Sequence, residues 1–216
     1  MSRSAMLNYT LAIEILFNIF NASTSGATSS NSSGATSIAN TTQQACNGSP
    51  ALCNRSFSNV SFVGTHDSAF AGTSVSDNQN VNITAQLDGG IRFLQAQTHR
   101  DGNGTLSMCH TACGLLNTGP LTDYLGTVKT WMDANVDEVV MMLLVNGDNL
   151  GVGNFSSAFN STGLQEYAYI PDTDPLPLDG WPTLGQLMSD GKRLVMFIGM
   201  FDVAYPPPSE RTDVWS

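Results

Sequence analysis

Two stretches of the chain are apolar at every position, Val139–Val145 and Leu194–Ile198. Runs of that length fit strands, and unbroken apolarity predicts strands buried on both faces, as in a parallel sheet. Ser61–Gly64 is a shorter apolar strand that runs into Thr65, His66 and Asp67. Ile91–His99 reads as another strand and Leu106–His110 as a weaker one. Between them the period changes. Leu121, Tyr124, Leu125, Val128, Trp131 and Met132 recur at helical spacing, and Pro120 suits a first turn, so a helix is expected over Pro120–Asn135 with Trp131 and Met132 in the core. A short helix is expected within Asn154–Gln165. Thr183 caps another through Ser189, with Gly191 as its stop. Trp181, beside Pro182, is expected to pack a loop.

Strands alternating with helices predict an α/β sheet of about five strands. In parallel α/β folds the C-terminal strand ends carry the active site. Polar residues gather at those ends here: His66 and Asp67, Gln97 and His99, His110, Asn146 and Asp148. The chain has 3 histidines, and all fall in this set. The plain alternative for Asn146 and Asp148 is a turn or a helix cap.

The ends of the chain have a different texture. Leu11–Phe20 is a short apolar run behind Arg3 and before Ala22, which fits a signal peptide over residues 1–22 better than a membrane span. Residues 23–45 are rich in Ser, Thr and Asn without an apolar period, so they are expected to be disordered, as a spacer or an O-glycosylated stalk. The folded domain is expected over 46–201, with an irregular tail over 202–216.

Composition narrows the function. Charged residues are 12% of the chain, against about 25% in typical domains. The formal net charge is −10, and the only lysines are Lys129 and Lys192. Nucleic-acid binding and a polybasic membrane site both need dense positive charge, so both are excluded. N-x-S/T sequons stand at Asn8, Asn21, Asn31, Asn40, Asn47, Asn54, Asn59, Asn82, Asn103, Asn154 and Asn160, which predicts a secreted or cell-surface glycoprotein. The 4 cysteines, Cys46, Cys53, Cys109 and Cys113, allow three disulfide connectivities. The local pairs 46–53 and 109–113 are favoured; zinc held by Cys109, His110 and Cys113 is the alternative, without a clear fourth ligand. No heptad or apolar stripe argues for an oligomer.

Val63–Phe70, which reads Val-Gly-Thr-His-Asp-Ser-Ala-Phe, resembles the first-strand motif of the phosphatidylinositol-specific phospholipase C superfamily. Gly90–Leu94 resembles its second-strand motif, and Cys109-His110 stands where its second histidine is expected. Among its members, a group of secreted fungal PLC-like phosphodiesterases shares the Cys46/Cys53 pair, the Gln95-x-Gln97 element and the Cys-His-x-x-Cys segment over roughly residues 46–201. The resemblance implies a distorted TIM-like β/α-barrel, present here in part. It implies phosphodiester cleavage of an inositol-type phospholipid, with peripheral contact at a membrane surface. His66 would be the general base and His110 the general acid, with Asp67 orienting a histidine or the phosphate-side network, or ligating a metal. Imidazole suits both tasks, since its unperturbed pKa is about 6.5. Gln95, Gln97, His99 and Asn146 would contact substrate. No cofactor is assigned, and a divalent cation, Ca or Mg, is left open through Asp67.

Two departures count against turnover. Related enzymes carry an arginine or carboxylate metal ligands where this chain has Gln95 and Gln97. Glutamine neither replaces a guanidinium nor holds a divalent ion strongly. Arg92 aligns with an internal strand position and is expected to have a structural partner. The family also orients its base with a carboxylate from a late strand, so a truncated barrel is expected. The alternative reading is therefore a weak or inactive glycoprotein with a PLC-like barrel that binds a phosphorylated or sugar ligand. A sphingomyelinase-D-like enzyme is a third, and its carboxylate-rich metal site is not seen here.

Overall fold

The computed structural model describes residues 44–173 and 175–200. The signal peptide expected over 1–22, most of the segment over 23–45 and the tail expected over 202–216 lie outside the described residues.

Ten elements follow in order: β1 (Gly64–Thr65), α1 (Ile83–Asp88), β2 (Phe93–Arg100), β3 (Leu106–Cys109), β4 (Asn117–Pro120), α2 (Leu121–Ala134), β5 (Val140–Asn146), α3 (Gly153–Thr162), α4 (Leu184–Ser189) and β6 (Leu194–Met200). The sheet has 6 strands, one more than expected. The addition is β4, whose Asn-Thr-Gly-Pro sequence carries no strand signal; it pairs antiparallel with β3, Ser107 opposite Pro120. The first strand is also shorter and later than expected, two residues at Gly64–Thr65.

The order is β4-β3-β2-β5-β6, with β1 on β2. β1, β5 and β6 run parallel to β2 and to one another, while β3 runs antiparallel to β2 and to its other neighbour β4. The sheet is mixed and unclosed among the described residues. One edge of β2 is shared. β1 pairs with its start, Gly64 opposite Phe93 and Thr65 opposite Leu94, and β3 pairs with its end, Thr98 opposite Met108. β1 runs up that edge and β3 runs down it. Continued past the last paired residues, the two registers meet head-on beside Gln95 and Ala96, which brings His66 and His110 together.

One face of the sheet is sealed. Leu94, Ala96, Met142 and Leu144 are fully buried with Leu121, Leu125, Val128 and Met132 of α2 and Phe155 and Phe159 of α3. The α2 positions are those read from helical spacing, and Trp131 and Met132 are core as expected. A smaller cluster joins Phe57, Val139, Leu184, Leu187 and Val195, with Trp181 stacked on Phe57 at 5.0 Å. Thr183 and Gln186 form a reciprocal capping box on α4.

The other face departs from expectation. In β5, Met141, Leu143 and Val145 are only half-buried, and Phe197 of β6 is 38% exposed. The apolar run predicted burial on both sides; an unclosed sheet leaves this side partly covered. Arg92 does have a structural role: it pairs with Glu138 at 2.7 Å, donates to Leu87 O and lies over Trp131 at 4.8 Å. The buried Arg193 guanidinium donates to Met132 O and Asn135 O, carbonyls left open at the end of α2.

Candidate functional site

The site is assembled by the shared edge of β2. His66 and Asp67 follow β1, and His110 follows β3. Asp67 is fully buried, and its Oδ2 lies 3.1 Å from His66 Nε2 and 3.1 Å from His110 Nε2. Both imidazoles thus aim the same nitrogen at one carboxylate oxygen, and the two nitrogens are at most twice that distance apart. Asn78 Nδ2 donates to the same oxygen at 2.8 Å. His66 is open to solvent, with 72% of its side chain exposed, while His110 is mostly covered and packs against the buried Phe70 ring at 5.3 Å.

Local strain surrounds this cluster. Asp67 has φ 52° and Thr111 has φ 63°, left-handed values that are uncommon outside glycine and least favourable for a β-branched residue. Each follows a histidine directly. Such conformations cost of order 1–3 kcal/mol and persist only where neighbours hold them. Here the holders are the two glutamines. Asp67 N donates to Gln95 Oε1 at 2.8 Å, and Thr111 N donates to Gln97 Oε1 at 2.9 Å. The Cys109–Cys113 disulfide closes the His110 loop. Ser68 N and Oγ both donate to Gln95 O, and Ser68 Oγ also meets Tyr124 Oη at 2.9 Å. Burial pushes the Tyr124 phenol well above its usual range, so it stays neutral. Two buried atoms of the site have no hydrogen-bond partner among the described residues, Asp67 Oδ1 and His110 Nδ1. With Nδ1 sealed, Nε2, which meets Asp67 Oδ2, is the one His110 nitrogen left for proton exchange.

The glutamines expected to bind substrate commit their carbonyl oxygens to these loops, and only their amide nitrogens are uncommitted. Asn146 is a correction. It is buried, its Oδ1 accepts from Leu150 N and its Nδ2 donates to Leu150 O, so it closes a turn and offers a substrate nothing. His99 stands further along β2, with Nδ1 2.7 Å from Asp148 Oδ1. Arg100 N donates to Asp148 Oδ2 at 2.6 Å. Burial alone would raise the Asp148 pKa, but the Arg100 amide and the His99 ring outweigh it and hold the carboxyl below the usual carboxylate range. Sequence reading missed Asn78 and the role of Asp148 as a partner of His99. Asn78 lies in the irregular loop after β1, where no periodicity points at it.

The disulfides are Cys46–Cys53 and Cys109–Cys113, the local pairs. That leaves no thiolate for the zinc alternative. Calcium takes six to eight oxygen ligands, and magnesium an octahedral set. Around Asp67 the donors are one carboxylate, two imidazoles and amides already bonded, and no group of three or more His, Cys, Asp or Glu suited to a metal ion occurs among the described residues. The donor set does not fit either cation. No helix among the described residues is long and apolar enough to cross a membrane.

The chain has clear relatives. The family model described as "PI-PLC X 1" matches residues 52–204. A "PI-PLC X domain-containing protein 1" of Arthroderma benhamiae is 48% identical over 71% of this chain and 50% of that protein. An "Uncharacterized secreted protein" of the same fungus is 41% identical over 73% of this chain and 36% of its own length. Among solved structures, the phosphatidylinositol-specific phospholipase C of Listeria monocytogenes superposes with TM-score 0.51 at 20% identity, covering 68% of this chain and 54% of that one. A Staphylococcus aureus enzyme of the same name, with a pentafluoro-Phe incorporated, gives 0.53 at 20% identity, over 68% and 49%. These likenesses carry the fold, a PLC-like TIM-type α/β architecture. The chain spans about half the length of the relatives it matches, or less. With the profile covering most of its length and the first-strand and second-strand motifs in place, the chain belongs to the PI-PLC X domain family.

Proposed function

We propose that the chain is a phosphoric diester hydrolase of phospholipase C type, acting on an inositol-type phospholipid or a related lipid. The observation that carries this is the convergence of His66 Nε2 and His110 Nε2 on one buried carboxylate oxygen. In-line displacement at phosphorus needs a proton removed from the attacking oxygen and one given to the leaving oxygen. His66, the exposed ring, takes the proton from the attacking hydroxyl. The new O–P bond forms as the bond to the leaving oxygen breaks, and that oxygen receives the proton of His110 Nε2. Asp67 orients both rings and balances the charge that passes between them, a duty the family gives partly to a late-strand carboxylate. No step is routed through a metal.

Two disulfides, a relative described as secreted and the sequons support a secreted or cell-surface glycoprotein that meets its substrate at a membrane surface. A second reading, a non-catalytic binder of a phosphorylated or sugar ligand, is favoured by one observation: no arginine or lysine among the described residues makes a contact with the two-histidine cluster.

The test is ³¹P NMR of phosphatidylinositol in mixed micelles with the purified chain, with and without EDTA. A cyclic phosphodiester that forms in both arms, and fails to form with His110→Ala, is the expected result. Absence of any product while the folded protein still binds a phosphorylated head group would select the second reading.

A further inference from the structure

The displacement proposed above builds negative charge on the nonbridging oxygens, and the glutamines at 95 and 97 cannot meet it. Five of the six described cations have side-chain partners elsewhere. Arg92 pairs with Glu138, Arg100 with Gly104 O and Asn154, Lys129 with Asp133, Lys192 with Glu166 O, and Arg193 with the end of α2. Arg55 belongs to the segment before β1, and its backbone bonds Leu52 and Leu184.

We infer that His99, oriented by Asp148, donates from Nε2 to a nonbridging phosphate oxygen and serves as the cationic contact that an arginine would otherwise supply. This rests on the reading of the site as a phosphodiesterase centre. Four observations carry it. Gln95, Gln97 and His99 alternate along β2 on one face, and the first two already reach Asp67 and the residue after His110. His99 is the next side chain on that face, roughly 7 Å further along the strand from Gln97. Its Nδ1 is fixed by Asp148, whose second oxygen is fixed in turn by Arg100 N, so the proton on Nδ1 is specified. The ring lies over Gly147, where a Cβ would stand 2.1 Å from His99 Cε1, so only glycine admits this ring position. Finally, Nε2 has no partner among the described residues, and unlike His110 Nδ1 it is not sealed from solvent. With Nδ1–H on Asp148 and Nε2–H on the phosphate, the ring is an imidazolium in the complex.

The chain's three histidines make ring-nitrogen NMR direct. Protein labelled with ¹⁵N-histidine is titrated with inorganic phosphate, and the three rings are assigned by single substitutions. The expected result is that His99 Nδ1 is protonated before phosphate is added and that Nε2 moves to the protonated position on saturation. His99→Gln should weaken phosphate binding roughly tenfold or more, the loss of one charged hydrogen bond, and His99→Lys should restore part of it. Asp148→Asn should shift the His99 tautomer toward Nε2–H and weaken phosphate binding as well. If phosphate moves the His66 and His110 signals and leaves His99 unchanged, the inference is wrong and the phosphodiesterase reading stands. If phosphate moves none of the three, both fall. The wild-type titration decides between these even where a variant does not fold.

Discussion

Gln95→Leu separates a substrate-binding glutamine from one that holds the buried Asp67 in place. Leucine keeps the size of the side chain and removes Oε1, the acceptor of Asp67 N. Asp67 is fully buried, so water cannot easily replace that acceptor, and a buried unpaired N–H costs about 1–3 kcal/mol. The lost bond also helps hold Asp67 at φ 52°, a conformation that itself costs of order 1–3 kcal/mol. The Ser68 bonds go to the Gln95 backbone oxygen and survive the substitution. A net loss of about 2 kcal/mol is expected, or a fall of roughly 4–8 °C in Tm for a domain of this size. Asp67 should also relax away from the two rings, so the ¹⁵N signals of both His66 and His110 should shift together. Turnover should fall through kcat with KM little changed. A melting temperature within about 1 °C of wild type, far inside the expected fall, with unmoved histidine signals and a raised KM, would refute the reasoning and return Gln95 to the substrate.

Two further outcomes follow from the same geometry. Replacing both Cys109 and Cys113 by serine opens the short loop that carries Thr111; chain entropy for so small a loop predicts a loss of about 2 kcal/mol by denaturant titration, and activity should fall further than stability because His110 loses its anchor. Asp148 titrates below the ordinary 3.8 in the folded chain, so its contacts stabilise the fold fully above that value and are lost as pH falls through the lower folded-state pKa. Melting curves below pH 3.8 should therefore show a shallower acid loss for Asp148→Asn than for wild type, and parallel curves would contradict this.

Periodicity revealed α2, β2, β5 and β6, because each carries a long apolar pattern against the core. It missed β4, whose Asn-Thr-Gly-Pro segment pairs only through backbone on the outer edge of the sheet. It also overstated the burial of β5, since a run of apolar residues does not say whether a second layer covers them. The histidine pair was legible from motif order. What joins it was not: Asp67 lies between the rings because a two-residue strand and an antiparallel strand meet along one edge of β2, and registers of that kind are set by tertiary pairing. The glutamines were read as reaching for substrate. Their hydrogen bonds to Asp67 N and Thr111 N could not be foreseen, since left-handed φ at a threonine has no sequence signal. Asn146 was misread because its place after a buried strand suits a ligand and a turn equally.

The division of labour between the two histidines is the central claim, and leaving-group dependence tests it most directly. Rates for wild type, His66→Ala and His110→Ala are compared on a natural inositol phosphodiester and on one whose leaving group is p-nitrophenol. A phenolate departs without a proton, so a general acid matters little for the second substrate. Both variants should lose about 10²–10⁴-fold on the natural substrate. On the activated one, His110→Ala should recover to within roughly tenfold of wild type, the general-acid contribution having become dispensable, while His66→Ala stays impaired. Equal impairment of the two variants on both substrates would contradict the assignment of His66 as base and His110 as acid.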